Sequence, residues 1–146
     1  MGNAPRRRMK LEISLYAHAT EDEGILLESV ERVLGIRPEE IEREQISGHH
    51  GNPITVFRAV LSGDRAVEVL RGAAAKMDAA ERELLRKSID RAIDDRGKVH
   101  LRFDKQGLVL GSVRMGRRDP VGLTISPGPR REDVVGLLIG ILEGGE

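Results

Sequence analysis

The chain has 146 residues, and its 24 Lys plus Arg equal its 24 Asp plus Glu, so the formal net charge is zero. That length suits one domain with a substantial core rather than two, and the zero balance disfavours binding to nucleic acid by bulk attraction alone. With no Cys there can be no disulfide framework, thiolate metal site or cysteine nucleophile.

No apolar run reaches membrane-spanning length, and Arg6-Arg7-Arg8 leads into an alternating strand rather than the apolar core of a signal peptide. The expectation is an intracellular, cytoplasmic protein without a membrane partner. Residues 1–8 read as a flexible basic tail and 9–146 as a single α+β domain.

Met9 to His18 alternates as a strand, with Leu11, Ile13, Leu15 and Ala17 on one face. Thr20-Glu21-Asp22-Glu23 has the pattern of a capping box and predicts a helix whose stripe is Ile25, Leu26, Val30, Val33 and Leu34, ended by Gly35. Ile36-Arg37-Pro38 is a linker, Glu40 to Ser47 a polar edge strand, and Gly48 to Pro53 a glycine loop holding His49 and His50. Ile54 to Leu61, rich in β-branched residues, predicts a central strand. Two helices follow, one opening at Gly63-Asp64 and interrupted at Gly72, the next capped by Asp78 and running to about Asp94.

From Asp94 to Met115 the pattern predicts a β-hairpin. Val99, Leu101 and Phe103 alternate with Lys98, His100, Arg102 and Asp104; Lys105-Gln106-Gly107 is the turn; Val109, Gly111, Val113 and Met115 return. Asp104 would then face Leu108, Phe103 would face Val109, and Lys98 would face Arg114. Arg117 to Pro120 is a turn, Val121 to Ser126 a short strand, and Arg131 to Leu142 a final helix, apolar over most of its circumference. Such a helix is either deeply buried or pairs with a second copy through Val134 to Leu142. The resulting order is β-α-β-β-α-α-β-β-β-α, a two-layer α+β sandwich of helices on one face of a mixed or antiparallel sheet.

Charge is unevenly spread. Acids crowd Glu21 to Glu44, whereas Arg96, Lys98, Arg102, Lys105, Arg114, Arg117 and Arg118 face Asp104 alone. A basic face on the hairpin would contact phosphates through Lys98, Arg102, Lys105, Arg114, Arg117 and Arg118, with His49 and Asn52 at its rim. The rings are only Tyr16, Phe57 and Phe103, too few for a base-stacking module, so recognition should favour the backbone and shape of structured RNA. There is no phosphate loop, nucleophile elbow or metalloprotease helix, and no cofactor is implied. His18 with His49 and an acid could hold a metal or act in RNA cleavage, but the spacing matches no metal signature, and the bland roles of capping and turn formation compete with both.

Three segments and a dipeptide carry a resemblance: His18-Ala19-Thr20-Glu21-Asp22, Gly48-His49-His50-Gly51-Asn52-Pro53-Ile54, Leu101-Arg102-Phe103-Asp104-Lys105-Gln106 and Asp119-Pro120. Together they resemble an archaeal family described as predicted exosome-associated RNA-binding proteins. The resemblance implies a fold similar to the ribosomal protein L-five, the five-S-rRNA binder, and a non-catalytic RNA-binding role beside the exosome or other RNA-processing proteins. It assigns no role to its matching positions, among them His18, Thr20, Glu21, Asp22, Gly48, Gly51, Pro53, Asp104 and Gln106. The competing expectations are a dimerising or protein-interaction subunit and, less directly, a metal- or histidine-dependent nuclease.

Overall fold

A computed structural model describes residues 9–128 and 134–144, the side chain of His49 excepted. The Arg6 to Arg8 arm and the first turn of the expected Arg131 to Leu142 helix lie outside the described residues. The elements are β1 (Lys10–Ala17), α1 (Glu23–Ser29, continued by a π turn at Val30–Leu34), β2 (Glu42–Ser47), β3 (Pro53–Ser62), α2 (Gly63–Ala75), α3 (Ala79–Ala92), β4 (Val99–Asp104), α4 (Lys105–Val109), β5 (Pro120–Ser126) and α5 (Val134–Leu142).

The five strands form one antiparallel sheet in the order β2-β3-β1-β5-β4. Alternation in β1 sends Leu11, Ile13, Leu15 and Ala17 into the core. Their cross-strand partners continue the same layer: Phe57, Ala59 and Leu61 from β3, and Leu123 and Ile125 from β5. The helices cover this face with Leu26, Val30, Val67, Leu70, Leu85, Ile89 and Leu138. The opposite face carries Glu12, Tyr16, Arg58, Val60, His100 and Arg102, all exposed. The α+β sandwich therefore has helices on one side and an open sheet on the other.

Local chemistry explains most boundaries. The helix α1 begins later than its Thr20 box suggests: Asp22 is the cap, accepting the Ile25 N–H at 3.2 Å, and Ile25 itself points outward. At its far end Gly35 adopts φ 73°, the left-handed conformation a side chain resists. The helix α2 runs through Gly72 without a break, and Asp78 caps α3 by accepting the Glu81 N–H at 2.8 Å. The final helix α5 packs on α2 and α3 through Val134, Leu138, Ile141 and Leu142.

The expected hairpin after β4 does not form, and the observed order is β-α-β-β-α-α-β-α-β-α. Asp104 caps a short helix instead: its carboxylate accepts the Gly107 N–H and the Arg114 Nε–H, each at 3.0 Å. Leu108, which the hairpin would have set opposite Asp104, is buried by this turn, while Leu110 is exposed. The chain comes back to β4 only at Met115, which bridges Phe103, while the Arg114 carbonyl accepts the Asp104 N–H. There Gly116 packs so closely that a Cβ would lie 2.6 Å from the Asp104 Cα. The partner along the whole of β4 is β5, in the register Phe103↔Val121 and Arg102↔Gly122. Lys98 and Arg114, expected to be neighbours, thus lie at opposite ends of β4.

Away from the sheet, Glu40 ties the α1–β2 connection to α2. It accepts from Arg65 Nη2 at 2.6 Å, from Arg65 Nε at 3.0 Å and from the Arg37 backbone N–H at 3.0 Å. The Arg65 hydrogen bonds foremost, then that from the Arg37 backbone, hold its carboxyl down at about 2. A carboxyl lowered by folding contributes stability above its unfolded value, and that contribution fades as pH falls through the folded one. Urea midpoints should therefore drop as pH falls from about 4.5 toward 2, and Glu40→Gln should flatten that decline while being less stable near neutrality.

Candidate nucleic-acid interface

The antiparallel registers bring four chain segments to one end of the sheet. The C-terminal end of β1, the β2–β3 turn, the C-terminal end of β4 and the N-terminal end of β5 all lie there. These are the segments that carry His18 to Asp22, Gly48 to Pro53, Asp104 to Gln106 and Asp119-Pro120. Positions separated by about a hundred residues thus become neighbours through strand order alone.

Lys105 stands at the centre of this end. It is 6% exposed, and its ammonium donates to the Tyr16 carbonyl at 2.8 Å and to Glu21 Oε1 at 2.8 Å, and pairs with Asp119 Oδ2 at 2.5 Å. Three acceptors match the three N–H bonds of an ammonium, which is why a lysine is tolerated at this depth. Phosphate contact by Lys105, expected from its place in the basic run, is therefore blocked: the charge is enclosed and already neutralised. Its neighbour Gln106 is exposed.

Glu21 comes from the acidic stretch of the sequence, so that stretch does fold beside the basic one. Burial pushes its carboxyl up, but hydrogen bonds from the His18 backbone N–H and from Lys105, with the charge of Lys105, more than offset this and leave it below its usual range. His18 closes the cluster from the solvent side, its Nε2 3.2 Å from Asp119 Oδ2. Asp119 has φ 47° and precedes a proline, a conformation costing on the order of 1–3 kcal/mol. Its contacts with Lys105 and His18 offset that strain and hold the entry to β5.

His18, Glu21 and Asp119 each offer a ligand atom within 4.8 Å of one another. An incoming cation would compete with the Lys105 ammonium, which already bridges both carboxylates. The side chain of His49, expected as a partner for His18, lies outside the described residues; in its β2–β3 turn the Asn52 carbonyl accepts the Gly48 N–H at 2.7 Å. Thr20 is exposed near the strand end, and Asp22 serves as the α1 cap.

The remaining basic positions separate into groups. Arg114 is engaged with Asp104 at 3.0 Å. Arg102, Arg117 and Arg118 are exposed and form no ion pair among the described residues. Arg102 lies on the open face near the cluster, and Arg117 and Arg118 lie in the connection leading to Asp119. Lys98 stands at the far end of β4, where Asp94 accepts its backbone N–H and also holds His100 at 2.8 Å.

Two features of this end were hidden in the sequence. The burial of Lys105 was masked by its place in a basic run, although Asp104-x-x-Gly107 is readable as a helix cap. The exposure of Tyr16 followed from the alternation of β1, yet nothing local marked the ring as uncovered rather than packed.

A family model described as RNA binding matches residues 10–126. The chain is 34% identical over 119 residues to the RNA-binding protein PAB1135 of Pyrococcus abyssi, covering 76% of this chain and 75% of that one. It is 28% identical over 120 residues to the uncharacterized protein MJ0213 of Methanocaldococcus jannaschii, covering 76% and 78%. Among solved structures, Mth689 of Methanothermobacter thermautotrophicus, a DUF54 protein, aligns with TM-score 0.69 at 29% identity over 91% of this chain and 96% of that one. AF2318 from Archaeglobus fulgidus shares the fold with TM-score 0.73 at 22% identity, over 90% and 97%.

Replacing Lys105 by Met should leave Glu21 and Asp119 facing each other without a cation. A loss of about 3 kcal/mol is expected in urea unfolding, the low end for a broken buried pair because both carboxylates keep some solvent. Adding Glu21→Gln to Lys105→Met should restore part of that loss. On the match across residues 10–126 and the identity to its archaeal relative, the chain belongs to the RNA-binding family.

Proposed function

We propose that this protein is a non-catalytic RNA-binding accessory protein that grips phosphates of structured RNA at the motif-bearing end of its sheet. The observation that carries the reading is the set of exposed arginines there, Arg102, Arg117 and Arg118, which form no ion pair among the described residues. Guanidinium groups make paired hydrogen bonds to phosphate, and an overall neutral chain needs such a local concentration to bind a polyanion. Arg114 extends the patch, its grip on Asp104 keeping one side of the guanidinium in place. Asn52 and His49, in the β2–β3 turn at the same end, stand at the rim.

Lys105 enters the proposal as a positioning residue, through the strand ends it holds, and Lys98 lies too far along β4 to join the patch. The name of the Pyrococcus abyssi relative supports the ligand class. The exosome or another RNA-processing assembly is the protein partner we extend the proposal to.

A second reading is favoured by one feature of α5. Val135, Leu137 and Ile139 are only partly buried after the helix has packed on α2 and α3. Val135 and Ile139 flank the buried stripe of the helix on one side and Leu137 on the other, and these apolar flanks suit a second copy of the chain or a protein partner. Light scattering during size-exclusion chromatography tests it: a dimer in the wild type that becomes a monomer in Leu137→Glu supports the reading, and a monomeric wild type removes self-association.

The main proposal is tested by fluorescence anisotropy with a labelled RNA hairpin across a salt series. Affinity should fall with salt, and replacing Arg102, Arg117 and Arg118 together by Ala should reduce the log–log slope by roughly 0.9 for each phosphate that is no longer neutralised. Thermal unfolding should be unchanged, because these side chains are exposed, and the RNA should be recovered intact. An unaltered slope in the triple variant would remove the patch from the account.

A further inference from the structure

Tyr16 is the one tyrosine of the chain, and there is no tryptophan. It sits on the open face of the sheet next to the Lys105 cluster, 46% exposed, and its backbone carbonyl is one of the three acceptors of the buried ammonium. A half-exposed tyrosine needs no explanation by itself, but its ring offers a ligand an apolar face with a polar hydroxyl at its end.

One cross-strand row runs Arg58, Ser14, Gly122, Arg102. Two exposed arginines thus flank a floor of one serine and one glycine, with three strand spacings of about 4.8 Å between them, roughly 14 Å in all. A Cβ on Gly122 would come only within 3.5 Å of Ser14 Oγ, so the trough is open because the residue is glycine, not because larger side chains are excluded. The next row along β1 places Tyr16 beside Val56, and the β1–β5 register continued by two residues places Pro120 on its other side. Arg58 is paired with Glu12 at 3.6 Å, but both side chains are about half exposed, and such a surface pair is weak enough to yield to a phosphate.

We infer that this open face holds a single-stranded RNA segment adjoining a duplex, with a base stacked on Tyr16 and the flanking phosphates met by Arg58 and Arg102. The inference rests on the reading of the protein as an RNA binder and adds the ligand's form: a duplex end gripped by the arginines of the motif end, continuing into an unpaired tail over the sheet. Base–aromatic stacking tolerates any sequence, so the tail is selected for being unpaired, not for its bases.

The test compares a blunt RNA hairpin with the same hairpin carrying a single-stranded run of adenosines. Wild-type protein should bind the tailed RNA about tenfold more tightly, within the range one stacked base supplies. Tyr16→Ala should lose that increment while binding the blunt hairpin as before, and Tyr16→Phe should keep it. Gly122→Val, which fills the trough, should also lose it. Because Tyr16 is the sole tyrosine and no tryptophan is present, its fluorescence reports on the site alone: the tail should quench it and the blunt hairpin should not. Circular dichroism melts check that each variant is folded.

A tail that adds no affinity, an increment that survives Tyr16→Ala, or unquenched tyrosine emission on binding would each overturn the inference. Loss of blunt-hairpin binding with a retained, quenched tail complex would instead overturn the arginine patch and leave the platform standing.

Discussion

The ammonium of Lys105 is the constraint on which the working end of this protein depends. It is a full charge almost entirely enclosed, and it is tolerated because three oxygens surround it: the Tyr16 carbonyl, Glu21 and Asp119. Each oxygen belongs to a different part of the chain. The lysine therefore fastens the end of β1, the approach to α1 and the entry to β5 at one point. A charge in this position selects geometry more strongly than an apolar residue could, because a misplaced acceptor leaves a buried donor unmet.

Strain and neutralisation both gather at that point. Asp119 takes a left-handed backbone conformation ahead of a proline, and its carboxylate is gripped from the core by Lys105 and from solvent by His18. Glu21, just ahead of the first helix, and Asp119 face the basic segment here, and they cancel one of its charges. What they leave are the arginines at the surface. An overall neutral protein thus separates its charge by depth: the lysine is enclosed as a structural cation, and Arg102, Arg117 and Arg118 remain available to a ligand. The sheet face beside them is open because every helix packs on the other side.

Much of the architecture was legible in residue order. Alternation marked β1, β-branched residues marked β3, Asp78 marked the start of α3, Gly35 marked the end of α1, and the polar run at Glu40 to Ser47 marked the edge strand found at Glu42–Ser47. These signals are local: a cap, a left-handed glycine and a period of two are decided within a few residues. The segment after β4 misled for the same reason. Val109, Gly111, Val113 and Met115 have the period of a strand, but the carboxylate of Asp104 caps the next turn as a helix and β5 pairs along the whole of β4. Alternation states which side a residue would face if it were extended; it does not say which strand wins the pairing.

Residue order alone was enough for the composition of the two faces, the class of the fold and the segments that matter for its resemblance to RNA-binding proteins. It could not say that those segments meet, because contacts between residues 18, 105 and 119 arise from strand order and register, which are properties of the whole sheet. Nor could it tell an enclosed lysine from an exposed arginine in the same basic run, since burial is decided by which acceptors arrive from elsewhere. Folding made Lys105 a buried cation and left Tyr16 an uncovered ring, and both follow from one cause: the helices all pack on one side of the sheet, and the chain ends of four strands converge at one edge of the other.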